Sequence, residues 1–270
     1  MEEKKVKRAK GNRKVIISGV LAGALLFASV SEINLTKNDC LYILGDYVDW
    51  GSNNMEVIKK CMNLEEKGLA KCLLGNHDLM FLNQLKKDIS HYGFGLGQSP
   101  VIDSCWANNG GLETYFDYSQ LTKEDKEKIY NWLNNLPYTV EGKVNDKNIL
   151  FAHSEPFTQL NKNDFDYINY RDEAVWNREL CKYDSKTQMN YINSKYEGNK
   201  GFKITPESDF KIYDYYVHGH TPTNDFAIKQ NDYEINVDCC AKLIGYDYDI
   251  RCCLGCINLT TKEEFYSYEH

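Results

Sequence analysis

CLYILGDYVDWGSNNMEVIKKCMNLEEKGLAKCLLGNHD, residues 40–78, holds two apolar runs that each end in polar residues, with a helix-spaced segment between them. CLYIL (40–44) and AKCLL (70–74) are short and apolar, the pattern of strands covered on both faces. MEVIKKCMNLEEKG (55–68) repeats its apolar residues at helical spacing and stops at a glycine. Strand, crossover helix and parallel strand make a βαβ unit, and such units carry their chemistry at the carboxyl ends of the strands. Here those ends read GDYVD (45–49) and GNHD (75–78).

The same design recurs farther along, in NILFAHS (148–154), YYVHGHT (215–221) and EINVDCC (234–240), and IRCCLGCINL (250–259) closes with a strand. Polar strand ends of this kind have to converge on one edge of a packed sheet pair. The expected fold is therefore α/β, a two-sheet β-sandwich flanked by helices. A single domain over residues 14–270 follows a basic N-terminal tail, 1–13. Residues 79–136, with the NNGG turn at 108–111 and a charged helical segment from Leu121, read as a cap-like insertion.

Composition bounds the function. A chain of 270 residues buries roughly 75% of its unfolded surface, so a full core is expected. Hydrophobic residues at 42% and charged residues at 26% exclude wholesale disorder and a multi-span membrane protein. The net charge of -7 argues against nucleic acid, whose partners carry a basic face. The ten cysteines are expected as reduced thiols, since a chain with a full core does not need disulfides. Cys252, Cys253 and Cys256 lack the second pair that a zinc knuckle requires and read as buried strand thiols.

One segment has two readings. Residues 15–30, VIISGVLAGALLFASV, carry no charge and follow a stretch dense in Lys and Arg. That is the outline of a signal or anchor, which would export the protein or attach it to a membrane. The run is short of the roughly 20 residues of a full span. The alternative is a buried strand and helix of the domain itself, in a cytoplasmic protein.

Asp46, Asp49, Asn76, His77, Asp78, His153 and His220 lie at four successive strand ends. A lone histidine there is usually a satisfied polar side chain, but carboxylate, carboxamide and imidazole around one point suit Mn²⁺, Fe²⁺ or Zn²⁺. At these residues the sequence resembles the calcineurin-like metallophosphoesterases, and in particular the bacterial and phage serine/threonine phosphatases, whose motifs run GDxHG, GDxxDRG, GNHE/D, HAG and GHT. The resemblance implies a phosphoesterase with one or two divalent cations, acting on a phosphorylated protein or a small phosphoester, with dinucleoside polyphosphates as the next substrate class. It makes Asp46 the bridging ligand and Asn76, His153 and His220 the rest of one metal shell. His77, oriented by Asp78, becomes the proton donor to the leaving oxygen, and Arg178 in VWNREL grips the phosphoryl group.

Three departures stand against this. The family's first motif supplies Asp and His to the other metal, and the register after VIIS puts Gly19 and Leu21, or Ser18 and Val20, in their places. The preserved register favours the buried strand and helix over a leader. Trp50 stands where the family has a phosphate-gripping Arg, and Glu155 where it has a small residue. A weakened enzyme keeping Asp46, with Asp49 or water at the depleted site, is expected; a catalytically inactive binding module is the alternative. His218 reads as structural, Asp238 as a support of the site, and His91 and His270 have no assigned role.

Overall fold

The computed structural model describes residues 14–17, 35–51, 53–95, 101–154, 174–176, 178, 184–187, 189–190, 213–241 and 252–267. Two five-stranded sheets form the frame. The first contains β1 (Lys14–Ile17), β2 (Cys40–Ile43), β3 (Ala70–Cys72), β9 (Leu254–Asn258) and β10 (Glu263–Ser267), in the order β10-β9-β1-β2-β3. The second contains β4 (Thr139–Val144), β5 (Lys147–Ala152), β6 (Tyr215–His218), β7 (Lys229–Gln230) and β8 (Glu234–Asn236), in the order β4-β5-β6-β8-β7. β1, β2 and β3 run parallel, as do β5, β6 and β8, so the carboxyl ends of each set share one edge.

The strand expected at VII is present and central: Lys14–Ile17 pairs in parallel with Cys40–Ile43 and antiparallel with β9. The helix expected after it lies outside the described residues. Among those residues no helix is long and apolar enough to cross a membrane.

The sheets face each other through Tyr42, Leu44, Leu73, Ile149, Phe151, Val217, Ile235, Val237 and Ile257, all buried. Tyr42 and Phe151 stack across the gap at 3.9 Å between ring centroids. Each aliphatic or aromatic side chain buried this way contributes about 1.5–3 kcal/mol.

Helices α1 (Asn54–Glu66), α2 (Asn76–Tyr92), α3 (Leu112–Ser119) and α4 (Lys123–Asn135) cover the outer face of the first sheet. The stretch 79–136 thus contributes α3, α4 and most of α2. Its Phe81, Leu85, Trp106, Ile129 and Leu133 share one apolar cluster with Leu41, Ile43 and Cys72 of the first sheet.

Among the described residues, nine cysteines stand outside any disulfide. Cys252, Cys253 and Cys256 are buried.

Candidate active site

The loops that follow β2, β3, β5 and β6 meet at one edge and bring the strand-end residues together. After β2 the chain turns through Gly45 (φ 104°) into Asp46, which itself takes a positive φ of 60°. After β3, Gly75 leads into α2. These two loops touch backbone to backbone: a Cβ on Gly45 would lie 2.5 Å from the Gly75 nitrogen, and one on Gly75 would lie 2.2 Å from Asp46 Oδ1. Only glycine allows that approach.

Asp78, at the third position of α2, locks the loops. Its Oδ2 accepts the backbone N–H groups of Asp46 (2.7 Å) and Gly75 (2.8 Å), and Oδ1 accepts that of Tyr47 (2.8 Å). Burial, and then the Asp46 carboxylate, act to raise the Asp78 carboxyl above its usual range, against the three N–H donors that favour the ionised form. The role expected for Asp78, orienting the His77 ring, falls instead to Asp49, whose Oδ2 lies 2.7 Å from His77 Nδ1. The reason is geometric: at the helix start the Asp78 carboxylate folds back onto orphan backbone donors, while Asp49 reaches the ring from the neighbouring loop.

Asp49 is fully engaged in turn. Trp106 Nε1 donates to both its oxygens at 3.0 Å, and Thr114 Oγ1 donates to Oδ1 at 2.7 Å. With its donors already in place it is not a reserve metal ligand, which corrects that expectation. Burial is the largest influence on Asp49 and raises its carboxyl above the usual range. Burial acts to lower the His77 value, but the Asp46 and Asp49 carboxylates outweigh it, so the protonated imidazole is favoured beyond its ordinary pH range.

The remaining expected ligands gather on the other side of Asp46. His153 Nδ1 faces the Leu44 carbonyl at 2.7 Å; a carbonyl only accepts, so Nδ1 carries the hydrogen. His153 Nε2 then points at Asn76 Oδ1 (2.9 Å), His220 Nδ1 (3.2 Å) and Asp46 Oδ2 (3.5 Å). His220, at φ 67°, brings Nδ1 to 2.9 Å from Asn76 Oδ1. Burial and then the neighbouring His153 drive the His220 value down to about 3, which keeps the ring neutral. Burial by itself would raise Asp46, but His153, His77 and His220 outweigh it and hold the carboxyl below its usual range.

Arg178 is exposed, and its Nε donates to His220 Nε2 at 3.3 Å; Trp176 meets the His220 ring edge-on at 6.0 Å. Trp50 meets the His77 ring at 6.2 Å and 72°. Positions 18 to 21 and Glu155 lie outside the described residues.

Among the described residues no group of three or more His, Cys, Asp and Glu forms a metal site by itself. With Asn76 added, a donor triangle appears: Asn76 Oδ1, His153 Nε2 and His220 Nδ1, with edges of 2.9, 2.9 and 3.2 Å. Neighbouring donors on a cation with bonds of about 2.1 Å lie about 3 Å apart, so the spacing fits. In the structure a single hydrogen, on His220 Nδ1, closes that triangle because Nε2 accepts from Arg178. Two lone-pair atoms and one N–H beside an ionised carboxylate form an arrangement that a divalent cation can replace once that hydrogen moves to His220 Nε2.

Residues 24–224 match the calcineurin-like phosphoesterase family. The chain belongs to that family. Its members hydrolyse phosphoesters with divalent metal ions. No curated protein matches the sequence significantly. Among solved structures, a provisionally assigned diadenosine tetraphosphatase is 16% identical over 97% of this chain and 96% of its own, with a TM-score of 0.50. A protein serine/threonine phosphatase from Saccharomyces cerevisiae is 12% identical over 96% and 81%, with a TM-score of 0.52. At these identities the likeness shows the shared fold alone, the two-sheet α/β arrangement expected from the strand ends.

Sequence reading missed Trp106 and Thr114. They reach Asp49 across 57 and 65 residues of chain. No local pattern signals such a contact; the NNGG turn that introduces α3 is the nearest hint.

Proposed function

We propose that the protein is a phosphomonoesterase of the serine/threonine-phosphatase type, weakened by the missing Asp and His of the first motif, and working on a phosphorylated protein or a small phosphoester in the cytoplasm. The observation that carries this reading is the contact between two differently tuned halves of one site. Asp46 Oδ1 accepts the His77 backbone N–H at 3.0 Å, and Asp46 Oδ2 lies 3.5 Å from His153 Nε2. One carboxylate therefore joins the cluster of Asn76, His153 and His220 to the backbone of the residue whose protonated imidazole the Asp46 and Asp49 carboxylates favour.

Asp46, Asn76, His153 and His220 would hold the cation, with Mn²⁺, Fe²⁺ and Zn²⁺ as the metals suited to this donor set. A bound divalent cation supplies charge neutralisation at the phosphoryl oxygens and lowers the pKa of attacking water. The protein's own groups do the rest. Arg178 offers its planar fork to the phosphoryl oxygens from the exposed side. His77, fixed by Asp49, delivers its proton to the leaving oxygen as the P–O bond breaks, a contribution of about 10²–10⁴ in rate. Trp50 cannot replace the guanidinium of the family motif, so phosphate binding rests more heavily on Arg178. The central place of β1 supports the cytoplasmic reading, because removal of a leader ending near residue 30 would take that strand out of the sheet.

Purified protein with Mn²⁺ is expected to hydrolyse p-nitrophenyl phosphate slowly, and His77→Asn to lower kcat by at least about 10²-fold. Equal turnover in the variant would show that His77 is not the acid. The lost first motif favours one competing reading, an inactive module that binds a phosphorylated partner. Phosphate binding without any turnover would select it.

A further inference from the structure

We propose that Trp106 and Thr114, both from the stretch that read as a cap-like insertion, are positioning residues for the acid step: they clamp the Asp49 carboxylate, which aims His77 at the leaving oxygen. The inference rests on His77 acting as the acid in the reading above.

Asp49 is held from both ends. Its φ is 92°, a conformation that residues other than glycine rarely adopt and keep only where the surroundings impose it. At the backbone, its N–H donates to Asn54 Oδ1 at 2.9 Å, and Asn54 Nδ2 donates to Asp117 Oδ2 of α3 at 3.2 Å. At the side chain, Trp106 Nε1 spans both oxygens, Thr114 Oγ1 takes Oδ1, and Oδ2 is left to face His77 Nδ1. The last torsion of an aspartate is soft, so the plane of this carboxylate is set by its partners.

The NNGG turn is what brings the two donors onto one carboxylate. An unbroken helix would set residues 106 and 114 about 12 Å apart along its axis and about 80° around it. Here Asn109 (φ -106°, ψ 26°) and Gly110 (φ 92°, ψ 0°) kink the chain between them. A Cβ on Gly110 would lie 2.7 Å from the Asp49 carbonyl oxygen, and one on Gly111 would strike the Trp106 ring. Gly110 therefore admits Asp49, and Gly111 admits the indole that holds it.

Asp49, Trp106 and Thr114 are all buried, so solvent does not compete for the carboxylate. Valine has the shape of threonine and buries no hydroxyl, so packing alone does not call for Thr114. The hydroxyl acts on Asp49, and Asp49 acts on the ring. As the P–O bond breaks, its electron pair stays on the leaving oxygen and the His77 Nε2 proton moves onto it, while Nδ1–H stays with Asp49. The alkoxide of a serine or threonine ester needs that proton, and a ring turned away from the oxygen cannot deliver it.

The test measures kcat and KM for phenyl phosphate and for 2,4-dinitrophenyl phosphate in the full-length protein with Mn²⁺. Phenolate leaves poorly without a proton, whereas 2,4-dinitrophenolate leaves as a stable anion. Thr114→Val should lower kcat for phenyl phosphate by about tenfold more than for the dinitrophenyl ester, with KM moving less than kcat. Thr114→Ser, which keeps the hydroxyl, should recover most of that loss. Trp106→Phe should show the same contrast between the esters; its ring belongs to the core, so the two threonine variants decide the matter if it does not fold. Mn²⁺ affinity of Thr114→Val in calorimetric titration should match that of the unmodified protein, because Asp49 is not a metal ligand.

No contrast between the esters in Thr114→Val, a serine variant as impaired as the valine one, or a changed Mn²⁺ affinity overturns the proposal. If His77→Asn is then still impaired selectively on phenyl phosphate, the acid reading stands without it. No turnover of either ester, or an equal loss on both in His77→Asn, overturns the proposal together with that reading.

Discussion

Asp78 shows how one carboxylate sets the geometry of others. Its two oxygens take three backbone N–H groups from the two loops that carry Asp46 and Asn76, in a position with no exposure to solvent. Asparagine has nearly the same shape but only one acceptor. With its carbonyl in the place of Oδ2 it keeps two of the bonds, and its amide then faces the Tyr47 N–H, donor against donor. Asp78→Asn is expected to cost about 2–3 kcal/mol of stability, read as a lower midpoint in urea at unchanged slope. The Asp49 contact with His77 predicts that the His77 ring loses its orientation when Asp49 is changed and not in Asp78→Asn. A loss of stability in Asp78→Asn no larger than that of an exposed Asp→Asn variant would show that the loops are held by something else.

At the level of elements, β6 and β8 are joined by a buried contact between His218 and Glu234 whose contribution to stability should depend on pH. His218 Nε2 lies 3.0 Å from Glu234 Oε1, while Ser185 Oγ (2.6 Å) and Lys229 Nζ (3.2 Å) donate to Oε2. Burial acts to raise the Glu234 carboxyl, but His218, Ser185 and Lys229 outweigh it and hold it well below the usual carboxylate range. A depressed value means that the folded state binds fewer protons than the unfolded one. The stabilisation is therefore complete above the unfolded value near 4.3 and is lost as pH falls below it. Glu234→Gln is expected to lose about 1–3 kcal/mol at pH 7 and to unfold less steeply with acid, so urea midpoints of the two proteins should converge between pH 5 and 3. Parallel midpoints across that range would overturn the assignment. His218 was read as structural from its place before Gly219; alternation would set residues 218 and 220 on one face, and what separates them is that His220 lies past the end of β6 with a positive φ of 67°. The strand ends themselves were legible for a similar reason: short apolar runs ending in Asp, Asn or His are local patterns. Asp49's partners were not, because Trp106 and Thr114 reach it only once α3 packs on the first sheet, and a period-based reading carries no information about contacts made at that distance along the chain.

Across the whole molecule, the placement of β1 bears on the motif that the sequence lacks. β1 runs parallel to β2, with Ile17 opposite Ile43, so it leaves the sheet at the edge where Asp46 stands three residues past Ile43. In the resemblance this is where the first motif delivers its Asp and His, and positions 18 to 21 here offer Ser, Gly, Val and Leu. The other donors, Asp46, Asn76, His153 and His220, come from β2, β3, β5 and β6 and owe nothing to that segment. One cation site is therefore expected in the protein as it stands, and a second should be restorable without rebuilding the frame. Gly19→Asp with Leu21→His, or Ser18→Asp with Val20→His in the other register, should raise Mn²⁺ stoichiometry from one to two in calorimetric titration. Turnover of p-nitrophenyl phosphate should rise with it, since two cations can clamp both the attacking and the leaving oxygens of an in-line displacement while one cannot. The register that restores binding also fixes which residue of the segment lies nearest Asp46. Two tight sites in the unmodified protein, or no gain in stoichiometry in either double variant, would mean that the chain after β1 does not return to this edge and that the lost motif has been placed on the wrong residues.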